Sequence, residues 1–388
     1  MKVLFLTTSF PRYEGDYSGT FVLNLAKHLK KNGIEVEVVA PNEELLKKWE
    51  VIEGILVHRF NYFLRKFQKL TYGGGGIPEN LKRKKLLLIL PFFLISFLLS
   101  SLKHSRQADL IQCLWFPIGI VGVIIKLLYK KRIIVNVRGS DKIFITRKFH
   151  FFSKIITNKS DALIAVADEL FKMIKISKNR KAFFIPNGVD VGSKKKYEFI
   201  THKKNILFVG NLSKNKSADT LLKAIKYIDI KNRNDFAVVI IGNGPEKDYL
   251  ESLAKDEGVD ENVFFLNALS QAEVFFLMER SYALVLPSLS EGRSNVILEA
   301  FASGLPVIAS RVPANLEIVD DGNNGLLFKP QDSKELAEKI TFLLNNQNIR
   351  NKLGEEGKKF IQKNELTWEN TAKKYIKIYN NLLLGEMQ

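Results

Sequence analysis

Hydrophobic positions recur along the chain in two alternating periods. Lys2 to Leu6 reads as a buried strand, Ser18 to Lys31 as an amphipathic helix stopped by Asn32-Gly33, and Glu35 to Ala40 as the next strand. The same alternation returns in the second half. Asn205 to Val209 is a strand, Ala218 to Ile228 a helix, and Phe236 to Ile241 a strand ending in Gly242-Asn243-Gly244. Glu246 to Lys255 reads as a helix, with further strands at Val263 to Leu266 and Ala283 to Leu286. Two such runs imply two parallel, doubly wound α/β domains, each offering ligands the carboxyl ends of its strands. The expected division is a first domain over 1–190, a polar and basic linker over 191–204, and a second domain over 205–365. A terminal helix within 366–388 is long enough to cross back to the first domain.

One segment departs from this globular pattern. Lys82-Arg83-Lys84-Lys85 precedes an apolar run from Leu86 to Leu102, which Lys103-His104-Ser105-Arg106 follows. A bilayer-spanning helix needs about 20 apolar residues; this run has 17, with Pro91 inside it and cations at both ends. The segment 82–106 is therefore expected to lie in a membrane interface, the alternative being a buried core helix. Gly73 to Gly76, just before it, reads as a linker. Charge points the same way. Net charge is +18, and residues 1–190 hold 32 Lys+Arg against 15 Asp+Glu, a difference of +17, while the remainder holds 27 against 26, a difference of +1. A one-sided excess implies that the first domain faces something anionic: phospholipid headgroups, a diphosphate-linked acceptor or nucleic acid. Cys113 has no second cysteine to pair with, and Met1 to Phe10 lacks the features of a signal peptide, so a cytoplasmic protein, peripheral on the cytoplasmic face of the membrane, is expected.

The most informative stretch runs from Pro287 to Ala309. A strand ends at Pro287, Ser294 is the expected N-cap, a helix runs through Ala302, and Gly304 stops it. Glu291 then stands on a loop above the sheet and Glu299 on the helix. The backbone N–H groups of Asn295 to Ile297 are expected to point at a cleft, where they suit a diphosphate. Carboxylates beside a diphosphate would repel it, so they are expected to accept hydroxyl hydrogen bonds from sugar diols.

This segment resembles the E-x7-E signature of the retaining family 4 glycosyltransferases of GT-B fold. The likeness extends to the loop Gly15 to Gly19, to Ile185-Pro186-Asn187-Gly188-Val189-Asp190, to Val209-Gly210-Asn211-Leu212, to Gly242-Asn243-Gly244-Pro245 and to Glu317 through Leu327. It implies two Rossmann-like domains facing each other across a cleft. It also implies that Glu291 contacts the transferred sugar, Glu299 the ribose hydroxyls, Lys216 the diphosphate, and Gly19 the phosphates by close backbone approach. Gly210, Asn211, Gly242, Ser294, Asn295 and Val296 fall with the donor by the same resemblance. Asn211 stands where family members commonly have Arg, and Arg293 is expected to supply the missing charge. Arg138-Gly139-Ser140-Asp141 replaces a stretch that begins with His in many relatives, which leaves Arg138 and Asp141 as expected acceptor-binding residues. In that family the sugar keeps its anomeric configuration and a leaving phosphate oxygen takes the acceptor proton. Lys216, Arg293 and the helix N-terminus would then stabilise the departing diphosphate.

Other chemistries fit less well. Gly210 to Ser217 nearly spells a P-loop, but Asn215 stands where a glycine is required. No G-x-G-x-x-G follows the first strand. His28, His58, His104, His150 and His202 have no metal-ligand spacing, and there is no Asp-x-Asp, so no metal and no cofactor is expected beyond the nucleotide diphosphate sugar as co-substrate. The expectation is a metal-independent hexosyltransferase with a lipid-linked or glycan acceptor at an anionic membrane surface. A GT-B nucleotide-sugar 2-epimerase is the first alternative, disfavoured by the scarcity of histidines. A basic nucleic-acid-binding protein is the second, and it should interleave aromatics with its cations; here they cluster in the apolar run, so no nucleic acid is expected.

Overall fold

The computed structural model describes residues 1–43, 46–72, 76–81, 84–138, 141, 150–176, 181–190, 203–229 and 235–385. Residues 191–202 of the expected linker, Gly73 to Gly75, Lys82, Arg83, Gly139 and Ser140 lie outside them. The chain forms two units, Met1–Gly188 with Trp368–Gln388, and Val189–Thr367.

The first unit begins β1 (Lys2–Leu6), α1 (Thr20–Lys31), β2 (Glu35–Pro41), β3 (Trp49–Ile52) and β4 (Ile55–Phe60). It continues α2 (Leu90–Ser105), β5 (Leu110–Cys113), α3 (Gly119–Tyr129), β6 (Arg132–Val137), α4 (His150–Lys159), β7 (Ala162–Ala165), α5 (Asp168–Ile176) and β8 (Ala182–Phe184). Its sheet has the order β3-β4-β2-β1-β5-β6-β7-β8. Val3 to Leu6 are fully buried on both faces of the sheet, as a central parallel strand requires. The helix after β1 starts at Thr20 rather than Ser18, because Gly19 is left-handed at φ 69 and caps it. One strand corrects the all-parallel expectation. β3 runs antiparallel to β4 through Glu53 and Gly54, both at positive φ, a two-residue reversal that a parallel crossover cannot use.

Helix α2 is the expected interfacial segment, and it is docked on one side only. Phe93, Phe97, Ser101 and Ser105, four residues apart, face the core of this unit. Phe92, Ile95 and Leu99 are more than half exposed. Only 22% of the most apolar 18-residue stretch within Lys85–Ser105 is buried, at a mean hydropathy of 2.2. The helix is thus neither enclosed like a core helix nor free of the sheet. Phe92, Ile95 and Leu99 form an apolar strip along its outer side.

The second unit contains β9 (Lys204–Val209), α6 (Ala218–Ile225), β10 (Phe236–Ile241), α7 (Lys247–Asp256), β11 (Val263–Leu266), α8 (Gln271–Met278) and β12 (Ala283–Leu286). There follow α9 (Asn295–Ser303), β13 (Val307–Ser310), β14 (Leu326–Phe328), α10 (Ser333–Asn345) and α11 (Gln347–Lys363). All pairings are parallel, in the order β11-β10-β9-β12-β13-β14. The winding direction reverses between β9 and β12, which is where open α/β sheets of this kind bind their ligands.

Helix α12 (Trp368–Leu384) belongs to the first unit. Trp368, Ala372, Tyr375, Ile378 and Tyr379 join the core that α1 forms on one face of the sheet. A buried polar chain fixes its position. Gln112 Nε2 donates to Asn136 Oδ1 at 2.9 Å, Asn136 Nδ2 donates to the Tyr375 hydroxyl at 2.6 Å, and the Tyr379 hydroxyl donates to Gln112 Oε1. Each of the four side chains has a partner within the network, which favours one docking of α12.

Candidate active site

Both loops at the reversal point of the second sheet carry charged residues singled out from the sequence. After β9 the chain passes Gly210 and Asn211 into a short 3-10 turn, Lys214–Lys216. The neighbouring β10 loop lies directly upon it: a Cβ on Gly242 would come within 1.9 Å of the Gly210 carbonyl oxygen, and one on Gly244 within 2.2 Å of that of Leu212. Glycine at 242 therefore serves loop-on-loop packing, and it holds the β9 loop in place. Ser217 follows at φ 50, an uncommon backbone state for a residue with a side chain. From this turn the Lys216 stem crosses Gly210, and its Nζ reaches Glu291 Oε1 at 2.6 Å.

Glu291 stands on the loop after β12. Its Oε1 also accepts from Ser288 Oγ at 2.6 Å, and its side chain is 8% exposed against 23% for Lys216. Asn215 stitches the two loops together, its Nδ2 donating to the Ser290 carbonyl at 2.7 Å while its own carbonyl accepts from Leu289 N. A pair this far out of water gains little net stability from its charges. What the geometry achieves is placement: the ammonium is held with protons to spare, and Glu291 Oε2 has no hydrogen-bond partner among the described residues.

Glu299 lies on α9. Gln271 Nε2, from the start of α8, donates to its Oε1 at 2.9 Å. Burial raises the Glu299 pKa to about 7, with Asp190 adding to the rise and Gln271 opposing it. The carboxylate expected to be fully ionised is therefore close to half protonated at neutral pH. Gln271 carried no signal in the sequence, and Asp190 only as the end of the stretch Ile185 to Asp190, since neither stands near Glu299 along the chain.

The N-terminus of α9 differs from expectation in one respect. Ser294 occupies the cap position but makes no cap hydrogen bond; its Oγ donates to Asn315 Oδ1, and Asn315 Nδ2 donates to the Ser310 carbonyl at 2.9 Å. The buried amide has the stronger claim on the hydroxyl because it has no water to turn to. Of the three N–H groups expected to face a ligand, that of Asn295 is turned to the Arg293 carbonyl and that of Ile297 to the Ser294 carbonyl. The Val296 N–H has no acceptor among the described residues, and Asn295 Oδ1 is buried without a partner. Gly304 ends the helix as expected, at φ 71. Arg293 follows Glu291 by two residues, but the structure pairs it with neither Lys216 nor Glu291. Burial lowers its pKa to about 10, and the nearby charge of Glu317 opposes that fall.

In the first unit the reversal falls between β1 and β5. Gly19 closes the β1 loop, where a Cβ would meet the Ser9 carbonyl oxygen at 2.5 Å. Arg12 braces the same loop, its Nε and Nη2 donating to the two oxygens of buried Asp16 at 2.7 and 3.1 Å. This clamp was not anticipated from the sequence. Arg138, at the end of β6, lies over the Phe21 ring at 3.6 Å and donates from Nε to the Leu114 carbonyl at 3.1 Å. Asp141, expected at the acceptor, is fully buried, and its Oδ2 accepts from the backbone N–H groups of Arg138 and Phe116 at 2.7 and 3.3 Å. It is a buttress of the turn and does not face an acceptor. The outer guanidinium nitrogens of Arg138 have no hydrogen-bond partner among the described residues, and burial lowers its pKa to about 10.

Histidines that looked unrelated in sequence also meet: Glu37, His58 and His104 bring potential ligand atoms within 4.8 Å. The two rings stack 3.7 Å apart, 20° from parallel, and Lys2 Nζ lies 2.6 Å from Glu37. Stacked rings direct their lone pairs along separate planes and the ammonium competes for the carboxylate, so the group is arranged as an ion-paired network rather than a cation cage.

Comparison with known proteins gives a consistent picture. Residues 18–193 match the family described as Glycosyltransferase Family 4, and residues 192–360 that described as Glycosyl transferases group 1. An uncharacterized glycosyltransferase of Methanocaldococcus jannaschii is 32% identical over 351 residues, covering 85% of this chain and 95% of the relative. A D-inositol 3-phosphate glycosyltransferase of Corynebacterium urealyticum is 31% identical over 186 residues, 46% of this chain and 43% of its own. Among solved structures, a sucrose-phosphate synthase from Thermosynechococcus elongatus superposes with a TM-score of 0.79 at 20% identity, covering 99% of this chain and 100% of that one. Anabaena HepE in complex with UDP-glucose gives 0.74 at 17% identity, covering 98% and 100%. At these identities the structural likeness establishes the fold, GT-B.

Proposed function

The chain belongs to the group 1, family 4 glycosyltransferases, and on that premise we propose that it transfers a hexose-type sugar, with retention and without a metal ion, from a nucleotide diphosphate sugar to a lipid-linked or glycan acceptor at a membrane surface. The observation that carries this reading is the Lys216–Glu291 pair at the reversal point of the second sheet. Lys216 is the group that meets the diphosphate and neutralises its charge as the glycosidic bond breaks. Glu291 holds that ammonium by Oε1 and offers Oε2 to a hydroxyl of the transferred sugar. Glu299 takes the ribose hydroxyls, and the open Val296 N–H, with Asn295 beside it, takes a phosphate oxygen. Gly19, packed on the Ser9 carbonyl, closes the β1 loop that approaches the phosphates. The exposed apolar strip of α2 and the positive charge of the first 190 residues support a peripheral position on an anionic membrane and an acceptor carried there, in cell-surface polysaccharide or glycan assembly.

The test is a thermal-shift panel of UDP-, GDP- and ADP-sugars, followed by NMR of the product's anomeric proton with the selected donor. One base class is expected to stabilise the protein and the anomeric configuration to be kept in a chelator. Inversion, or metal-dependent turnover, would refute the mechanism. Co-sedimentation with anionic vesicles tests the membrane position, and equal binding to neutral vesicles would remove its electrostatic part.

A further inference from the structure

The first unit contains a cavity of about 290 Å³ whose lining is almost wholly hydrocarbon and aromatic. Phe93 and Leu94 of α2, Trp115 and Phe116 after β5, and Phe152 and Ile156 of α4 form its walls. It is open to one side, where Leu94 and Phe152 are exposed, and a cleft this apolar leaves hydrocarbon facing water until an apolar ligand covers it. For scale, an engineered cavity of about 150 Å³ accepts benzene, so this one has room for roughly a dozen carbon atoms.

Its position decides what the ligand is. Trp115 and Phe116 follow β5 at the reversal point of the first sheet, where a ligand of this unit is expected to bind. Buried Asp141 joins the Phe116 N–H to the Arg138 N–H, and Arg138 Nε is fixed to the carbonyl of Leu114, the residue just before Trp115. The cavity lies on the face of the sheet covered by α2, α3 and α4, and the Arg138 guanidinium on the α1 face over the Phe21 ring, the turn after β5 joining the two at the strand ends. Outside the cavity, Phe92, Ile95 and Leu99 of α2 and Phe151 of α4 are exposed, with Lys103 and Arg106 at the end of α2.

We infer that the cavity seats the hydrocarbon chain of the acceptor, with the anionic group that joins chain to glycan held at Arg138. The acceptor is thereby assigned to the class of phosphate-linked long-chain lipids rather than soluble glycans, an assignment that rests on the glycosyltransfer reading above. A chain in this seat makes the acceptor's polar end the only part left at the strand ends.

The probe is a series of n-alkyl phosphates of four to twelve carbons, below their micelle concentrations, titrated against the full chain by calorimetry. Affinity is expected to rise about fourfold per methylene and to level off near the capacity of the cavity. Leu94 is 45% exposed at the rim, so Leu94→Trp is expected to fold, to obstruct the hole, and to weaken decyl phosphate at least tenfold while butyl phosphate is unchanged. An alkyl phosphate brominated at its chain end should quench Trp115, and Trp115→Phe should bind it without that quenching component, which separates the cavity from the outer face of α2. A flat chain-length series, undiminished decyl binding in Leu94→Trp, or quenching that persists in Trp115→Phe would each overturn the inference. Donor binding is measured on the same samples: its presence with no chain-length dependence defeats the lipid seat alone, whereas its absence defeats the glycosyltransfer reading.

Discussion

Glu299 yields a prediction whose sign runs opposite to that of most carboxylates. Burial holds its pKa near 7 against an ordinary 4.5. Ribose hydroxyls donating to the carboxyl favour its ionised form, so donor binding should expel a proton. About a tenth of the molecules carry ionised Glu299 at pH 6 and about nine tenths at pH 8, so affinity for a nucleotide sugar is expected to rise by up to about tenfold across that window. The sugar diphosphate, a diester, does not titrate there, so the dependence belongs to the protein. Stability moves the other way. Between pH 4.5 and 7 the folded state binds more protons at Glu299 than the unfolded state does, so the free energy of unfolding falls with rising pH, by roughly 3 kcal/mol. Calorimetry at pH 6, 7 and 8 in two buffers of different ionisation enthalpy measures the proton release directly, and denaturant melts over the same range measure the stability. Glu299→Gln should bind the nucleotide more weakly, lose both pH dependences, and be the more stable protein above pH 7. A pH-independent wild-type affinity with no proton released, or a Glu299→Gln protein that keeps the wild-type slope, would refute the reasoning.

Further outcomes can be stated briefly. Lys216→Ala should lower kcat by about 10²–10³-fold and cost about 2 kcal/mol of stability through its lost hydrogen bond to Glu291; combined with Glu291→Gln, which alone should impair turnover, the losses should be far from additive, and additive losses would mean the pair does not act as a unit. Arg293→Ala should raise the donor's apparent binding constant, and unchanged donor kinetics would remove Arg293 from the site. Gly19→Ala places a methyl against the Ser9 carbonyl at positive φ, with an expected cost of about 1–3 kcal/mol, read as a lowered Tm. Tyr375→Phe leaves Asn136 Nδ2 without its acceptor, expected to cost about 1–3 kcal/mol; a Tm equal to wild type would show that packing alone holds α12.

The α/β character, the two parallel windings, the glycine that ends α9 and the loop position of Glu291 were all legible in the sequence. Each is set by contacts close along the chain: the period of apolar residues, the stop of a left-handed glycine, the spacing of a signature. The antiparallel β3 was missed because a two-residue reversal at Glu53-Gly54 leaves a weak periodic trace in a short edge strand.

What only the tertiary structure decided is which distant residues meet. Lys216 and Glu291 are 75 positions apart and become a pair because β9 and β12 lie side by side at the reversal of the sheet. Ser294 and Asp141, legible as a cap and a ligand, are instead engaged by buried groups that could find no water, Asn315 in one case and two backbone N–H groups in the other. The apolar run at 86–102 was equally consistent with a buried and an interfacial helix, since composition is the same for both. A single stripe spaced by four residues, docked against a sheet that the local sequence cannot specify, gave α2 one buried face and one exposed face.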